Sequence, residues 1–387
     1  MAFDKMIVKK LLKKFDDVPF VVKFPDGEEF KVGEGEPQAI IRANGGIDMG
    51  AVMKSPSLAL GEAYMDKTLE LEKGDLFEIL NMVLAKLEDF ASDFSGLTKI
   101  MKTSTSKKNQ KQEIATHYDI GNEFFELWLD ETMSYSCGYF KHETDTLYDA
   151  QVHKVEHILK KLNLKEGQTL LDIGCGWGYL LIAAAKKYHV KGVGITLSEE
   201  QYKKGQERIK AEGLEGQVEI RLMDYRDLEK SGMTFDRIVS VGMLEHVSRD
   251  NYPLFFKNID KVLNKKGIVL LHYISGRQEH DGDPWIKKYI FPGGIIPSLR
   301  EIIYLIGEYN YYTLDVESLR RHYEKTLLEW SKNYAAKRDV IDTMFEERFV
   351  RMWELYLVSC ASVFHNGICD IHQILFTKGV DNDLPMT

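Results

Sequence analysis

The stretch Thr169-Leu170-Leu171-Asp172-Ile173-Gly174-Cys175-Gly176-Trp177-Gly178 decides the fold. A short apolar run, Thr169–Ile173, enters a turn with glycine at every second position, and a helical pattern follows at Tyr179–Tyr188. Downstream the same alternation continues. Strand-like runs stand at Val190–Ile195, Val218–Met223, Phe235–Val241 and Gly267–Ile274, with helical patterns at Glu199–Ala211 and Asn251–Leu263. Apolar strands alternating with amphipathic helices predict an α/β fold with a doubly wound parallel sheet of the Rossmann-like kind. Past His272 the chain turns aromatic and helical, and Cys369–Thr377 reads as a closing edge strand.

Upstream the texture differs. Phe20–Phe24 and Glu29–Val32 alternate in polarity on either side of Pro25-Asp26-Gly27, which is strong turn chemistry. Helical patterns follow at Ser57–Met65 and Leu76–Phe90, and Thr98–Gln112 is polar, rich in Lys, Ser and Thr, without periodicity. The reading is a small α+β domain over 1–98, a basic linker over 99–112, and a larger domain over 113–387. A length of 387 residues suits two domains. Four cysteines, Cys137, Cys175, Cys360 and Cys369, form no CxxC pair, and no Cys/His cluster has zinc spacing, so no metal is expected. A formal charge of −9 speaks against nucleic acid as the main partner. No apolar run reaches membrane-spanning length and the first residues lack a secretion signal, which points to the cytoplasm.

The glycine turn carries the chemistry. Its spacing, Gly174-x-Gly176-x-Gly178, is not the GxGxxG of dinucleotide sites. Asp172 precedes the turn by two residues, where a carboxylate meets a ligand's ammonium; the alternative is that it caps the turn while the glycines relieve crowding. The second strand ends in Thr196-Leu197-Ser198 and the third in Asp224-Tyr225-Arg226, at the carboxyl edge where open α/β sheets bind ligands. S-adenosylmethionine fits this edge.

Further stretches narrow the reading. His117-Tyr118-Asp119-Ile120-Gly121-Asn122 is followed by Tyr135-Ser136-Cys137-Gly138-Tyr139-Phe140, Met243-Leu244-Glu245-His246-Val247 and Leu271-His272-Tyr273-Ile274. Then come Asp283-Pro284-Trp285-Ile286-Lys287-Lys288-Tyr289-Ile290-Phe291-Pro292-Gly293-Gly294 and His322-Tyr323-Glu324-Lys325-Thr326-Leu327. With the glycine turn, these resemble the cyclopropane-fatty-acyl-phospholipid synthases, class I S-adenosylmethionine-dependent methyltransferases, over about residues 113 to 380. The front segment, with Leu60-Gly61-Glu62-Ala63-Tyr64-Met65-Asp66, looks like the extra domain of the bacterial phospholipid-acting members, which serves lipid binding or dimerisation.

That resemblance implies transfer of a methylene group to the cis double bond of an unsaturated phospholipid acyl chain, by methyl transfer, carbocation formation and proton removal. It implies cofactor contacts from Tyr135, Ser136, Asp172, Gly174, Gly176, Gly178, Thr196, Leu197, Gln201, Tyr225 and Arg226. It also implies a bound bicarbonate as base, cradled by Glu245, His272 and Tyr323 with backbone groups of Cys137 and Ile274. Aromatic faces for the passing positive charge are sought in Trp285, Tyr289, Phe291, Tyr304, Tyr309, Tyr311 and Tyr312, each of which core packing would explain as well. The family's proposed cysteine matches Cys360. The reaction offers a thiolate nothing to attack, so Cys360 reads as a structural thiol. His117 stands near the pocket in this reading, whereas His246 points away from it and His365 and His372 are structural or exposed. Peripheral association with the inner face of the membrane and a homodimer complete the expectation. The basic stretch Lys99–Lys111 is either a headgroup contact or a solvated linker, and Lys9–Lys14 reads as a solvated helix face. Alternatives are another lipid or small-molecule methyltransferase, with a methyl-branched or methylidene product, and a non-catalytic lipid-binding protein.

Overall fold

The computed structural model describes residues 5–86 and 120–384, which fall into two compact units. Of the described residues, the first comprises 5–86, 283–290 and 327–367, and the second 120–282, 291–326 and 368–384. The basic stretch Lys99–Lys111, the linker 99–112 and His117 lie outside the described residues.

In the first unit β1 (Phe20–Lys23) and β2 (Glu29–Val32) form an antiparallel hairpin on the Pro25-Asp26-Gly27 turn, with Gly27 at φ +85°. Strands β3 (Ala39–Ala43) and β4 (Leu69–Lys73) complete a sheet of order β2-β1-β3-β4, in which β1 and β3 run parallel. Phe20, Val22, Phe24, Val32 and Ala39 form its core. Helix Glu347–His365 packs on helices Pro56–Met65 and Leu76–Ala85. Tyr64 there donates its hydroxyl to Glu354 at 3.0 Å. Lys9, at the end of helix Lys5–Leu12, pairs with Glu28 and lies over the Phe30 ring, 5.4 Å from its centroid.

The second unit holds seven strands: β5 (Thr169–Ile173), β6 (Lys191–Thr196), β7 (Val218–Leu222), β8 (Phe235–Val241), β9 (Leu263–Gly276), β10 (Tyr311–Ser318) and β11 (Cys369–Lys378). Their order is β10-β11-β9-β8-β5-β6-β7. Successive strand residues point to opposite faces, which splits the core in two. Leu170 and Leu270 pack with Ile158 and Leu181 from helices Leu147–Lys161 and Tyr179–Tyr188. Leu171, Leu271 and Tyr273 pack with Phe255, Phe256 and Ile302 on the other side, under helices Tyr252–Val262 and Leu299–Glu308. The doubly wound α/β sheet is therefore present.

Two expectations fail at its far side. Cys369–Lys378 is not an edge strand: it pairs antiparallel with both β9 and β10 and is buried along most of its length. Its run Ile374-Leu375-Phe376 carries the apolar continuity of a strand covered on both faces. The true edge is β10, inside a region read as helical. Its polar, exposed residues and a bulge at Thr313/Asp315 suit an unprotected border.

Candidate functional site

The carboxyl ends of β5, β6 and β8 open onto a cavity whose floor is the glycine turn. Gly174 and Gly176 line it at φ 82° and 54°, a backbone region that disfavours side chains. Gly178 is not part of the lining; it sits at φ 82° as the cap that starts helix Tyr179–Tyr188. From β6, Thr196 donates its hydroxyl to Gln201 Oε1 at 2.8 Å and accepts the Ser198 N–H at 3.1 Å, which sets both side chains at the wall. Tyr225 closes the third side. Arg226 turns instead to Asp224, with a carboxylate contact of 2.6 Å, and its guanidinium lies 5.6 Å from the Tyr225 ring centroid. The structure thus assembles Tyr135, Ser136, Asp172, Gly174, Gly176, Thr196, Leu197, Gln201 and Tyr225 around one space, and leaves Gly178 and Arg226 behind it.

Lys154, which the sequence reading left without a part, and His246, which it pointed elsewhere, also face this space, together with Trp177 of the glycine turn itself. Lys154 occupies the buried stripe of helix Leu147–Lys161, among Leu147, Ala150, Val155 and Ile158. A lysine in an apolar stripe was the available signal. Burial pulls its ammonium down to about 8. Burial pushes Asp172 up to about 7 against the pull of Lys154. Trp177 donates its indole N–H to Asn122 at 2.7 Å and joins an aromatic group in which Phe125 lies 5.5 Å from Tyr135. His246 reaches the cavity because residues Leu244–His246 form a tight 3-10 turn rather than a regular strand extension. Burial lowers its imidazole to about 4, and Phe291 packs edge-on at 5.7 Å.

Beside the cavity, the five residues assigned to a base site are linked through one strand pair. Glu245 accepts the Ile274 N–H at 2.7 Å through Oε1, while its Oε2 is buried with no partner among the described residues. Burial pushes this carboxyl up to about 7. His272 stands on the same face of β9 as Ile274, with Gln373 Nε2 at 3.2 Å from its Nδ1 and its Nε2 buried without a partner among the described residues. Ile274 pairs with Ile371 of β11, whose carbonyl accepts the Leu319 N–H at 2.8 Å. The Leu319 carbonyl in turn accepts the Tyr323 N–H at 3.1 Å and lies 3.9 Å from the Cys137 sulfur. None of the five lines the cavity itself, but cavity residues adjoin three of them: Met243 and His246 stand close to Glu245 in the chain, Val241 is in register with His272, and Ser136 precedes Cys137.

The aromatic residues sought as a cation-stabilising wall divide between the two units. Trp285 and Tyr289 belong to the first unit, where the Trp285 indole meets the Met65 sulfur at 3.2 Å and the Tyr289 hydroxyl meets Glu62 at 2.6 Å. Tyr304 and Tyr312 are exposed, Tyr309 donates to the Pro253 carbonyl and Tyr311 to Asp260. Only Phe291 of that set touches a cavity residue among the described contacts. Cys360 lies in the first unit, on helix Glu347–His365.

The family model of mycolic acid cyclopropane synthetases matches residues 105–374, and a model of a domain of unknown function matches residues 7–95. The cyclopropane-fatty-acyl-phospholipid synthase of Escherichia coli K12 is 40% identical over 356 residues, 90% of this chain and 91% of that protein. A tuberculostearic acid methyltransferase of Mycobacterium tuberculosis is 34% identical over 342 residues, 82% of this chain and 78% of its own length. Among solved structures, a mycolic acid cyclopropane synthase complexed with SAH and CTAB superposes with a TM-score of 0.65 at 34% identity, covering 69% of this chain and 98% of that one. The cavity at the sheet's carboxyl edge and these matches lead to one placement: the chain belongs to the mycolic acid cyclopropane synthetase family and is an S-adenosylmethionine-dependent methyltransferase.

Proposed function

We propose that the protein transfers a methylene unit from S-adenosylmethionine to the cis double bond of an unsaturated phospholipid acyl chain, closing a cyclopropane ring. The observation that carries this reading is the pair of buried polar atoms without a partner among the described residues, Glu245 Oε2 and His272 Nε2, beside the cavity. Simple methylation of an amine needs no such pair, since the amine proton leaves to solvent. Ring closure on carbon does, because a proton must leave the newly transferred methyl in a place water does not reach.

The two atoms fit a small oxyanion. Glu245 Oε2 accepts, and His272 donates from Nε2 when Gln373 donates to Nδ1. Tyr323, nine per cent exposed near the start of helix Arg320–Ala336, would add its hydroxyl, and Cys137 and Ile274 their backbone groups. A bicarbonate held there would supply the base that removes the methyl proton. The chain's own work is to hold that base, to keep His272 neutral (burial lowers it to about 3), and to exclude water from the cation. Cys137 takes no part through its thiol, which burial pushes far up. Cys360, a half-buried helix residue, is structural in this reading.

Phospholipid as substrate is supported by the long form of the chain, matched to the Escherichia coli synthase over both units. No described helix is long and apolar enough to cross a membrane. On the likeness to the phospholipid synthase, we propose an enzyme of the cytoplasm, peripheral on the inner membrane face and homodimeric. The domain division 1–98, 99–112 and 113–387 belongs to the same proposal. A second reading, a methyl-branched or methylidene lipid product, is favoured by the likeness to the tuberculostearic acid methyltransferase. Incubating the full chain with adenosylmethionine and vesicles of cis-monounsaturated phospholipid separates the two. Mass spectrometry is expected to find one added CH2 and no remaining alkene; an added CH2 with the alkene retained supports the second reading, and no turnover sinks both.

A further inference from the structure

Helix Leu147–Lys161 turns an apolar stripe to the sheet, and within that stripe Lys154 is 3% exposed. A charge removed from water needs compensation from fixed partners. The Lys154 ammonium has one, donating to Ser136 Oγ at 2.9 Å, so two of its donors meet no acceptor among the described residues. Ser136 is itself braced, its carbonyl accepting from Gln151 at 2.9 Å one turn earlier on the same helix. Asp172 is equally buried, at 3% exposure, and its Oδ1 has no partner among the described residues. No ion pair joins Lys154 to Asp172 or to any other carboxylate among the described residues, although both line the cavity with Ser136 and Gly174. Burial has lowered the ammonium and raised the carboxyl, as expected of two charges still short of counter-ions.

A buried cation and a buried anion, each under-satisfied and neither spent on the other, form a receptor for a zwitterion. The amino-acid arm of the methyl donor is one: its α-carboxylate and α-ammonium sit on a single carbon. We propose that Lys154, tethered through Ser136, binds the α-carboxylate of the donor while Asp172 receives the α-ammonium. The inference rests on the cofactor cavity described above and assigns Lys154 a role in it. The carboxylate, interposed, also shields the lysine from the donor's sulfonium, without which two like charges would share a dry cavity. Holding both ends of the arm fixes the direction in which the sulfur presents its methyl group, so Lys154 is a positioning residue for transfer as well as a binding one.

The test is calorimetric binding of three nucleosides to the full chain: adenosylhomocysteine, its decarboxylated analogue, and methylthioadenosine, which lacks the whole arm. The unmodified enzyme is expected to bind adenosylhomocysteine roughly tenfold or more tightly than the decarboxylated analogue, the scale of a charge-assisted contact. Lys154→Met should erase that preference, weakening adenosylhomocysteine by a similar factor while changing the other two ligands by less than about twofold. Ser136→Ala should lower the same preference part-way. Equal affinity of the unmodified enzyme for adenosylhomocysteine and its decarboxylated analogue overturns the proposal without recourse to any variant. Equal losses for all three ligands in Lys154→Met overturn it too, since they mark a collapsed cavity. If the unmodified enzyme binds none of the three, the cofactor cavity is itself misassigned and the clamp falls with it.

Discussion

At Glu245 one backbone bond, from Ile274 at 2.7 Å, holds one carboxylate oxygen and leaves the other buried with no partner among the described residues. A carboxyl accepts through both oxygens only when ionised, and burial has raised this one to about 7. Below that value the protonated form dominates and the acceptor is lost; above it the acceptor is present. We therefore expect kcat to rise with pH through a limb centred near about 7. Glu245→Gln should lower kcat by roughly 10²–10⁴-fold and remove that limb, with adenosylhomocysteine affinity held within about twofold. A Glu245→Gln enzyme that keeps the limb would take Glu245 out of the chemistry. His272 adds no limb in this range, because burial holds it down to about 3. The residues of this scale were partly legible. Asp172, Glu245 and His246 stand in motifs, but the aim of His246 depends on a 3-10 turn, and the place of Lys154 on a helix face, that no motif announces.

The glycine turn is the element that floors the cavity, and the proposed cofactor site rests on it. A Cβ at Gly174 would lie 2.8 Å from Met243 Cβ, an atom fixed to its own backbone, and φ there is +82°. Gly174→Ala meets both penalties together, so a loss of about 1–3 kcal/mol in unfolding free energy is expected. Because Met243 also lines the cavity, adenosylhomocysteine affinity should fall on the order of tenfold, the effect of a contact displaced rather than removed. Denaturant titration and calorimetry check the two halves, and wild-type values for both would deny the turn its close approach. At this scale the strands β5 to β9 and their helices were readable from alternation, since parallel strands are covered on both faces. β11 was read correctly as a strand but wrongly as the edge, and β10 was read as helical, because an antiparallel return pairing depends on which edge is open, and local periodicity does not report that.

Across the whole chain, the compact units do not follow a single cut: 283–290 and 327–367 join the N-terminal segment. Sequence texture shows where composition changes along the chain; it does not show that a later helix returns to cover an earlier one. Gly61 tests the packing of that unit. A Cβ there would lie 2.4 Å from Trp285 Cδ1, and Trp285 is buried. Gly61→Val should cost about 1–3 kcal/mol of unfolding free energy by overpacking. Adenosylhomocysteine affinity should stay within about twofold, as every residue lining the cavity belongs to the second unit. An unchanged denaturation midpoint would show that Trp285 does not pack on helix Pro56–Met65.

Read alone, the amino-acid order already settled the sheet's parallel half, the hairpin at Pro25-Asp26-Gly27 and most of the cavity's floor. These are local matters: side-chain period, turn chemistry and a glycine-spaced loop act over a few neighbouring residues. Folding in three dimensions added what depends on distant partners. It put β11 between β9 and β10, set the Trp285 segment against helix Pro56–Met65, and turned Lys154 and His246 into one cavity. A buried polar group takes its meaning from what surrounds it, and only packing brings those surroundings together.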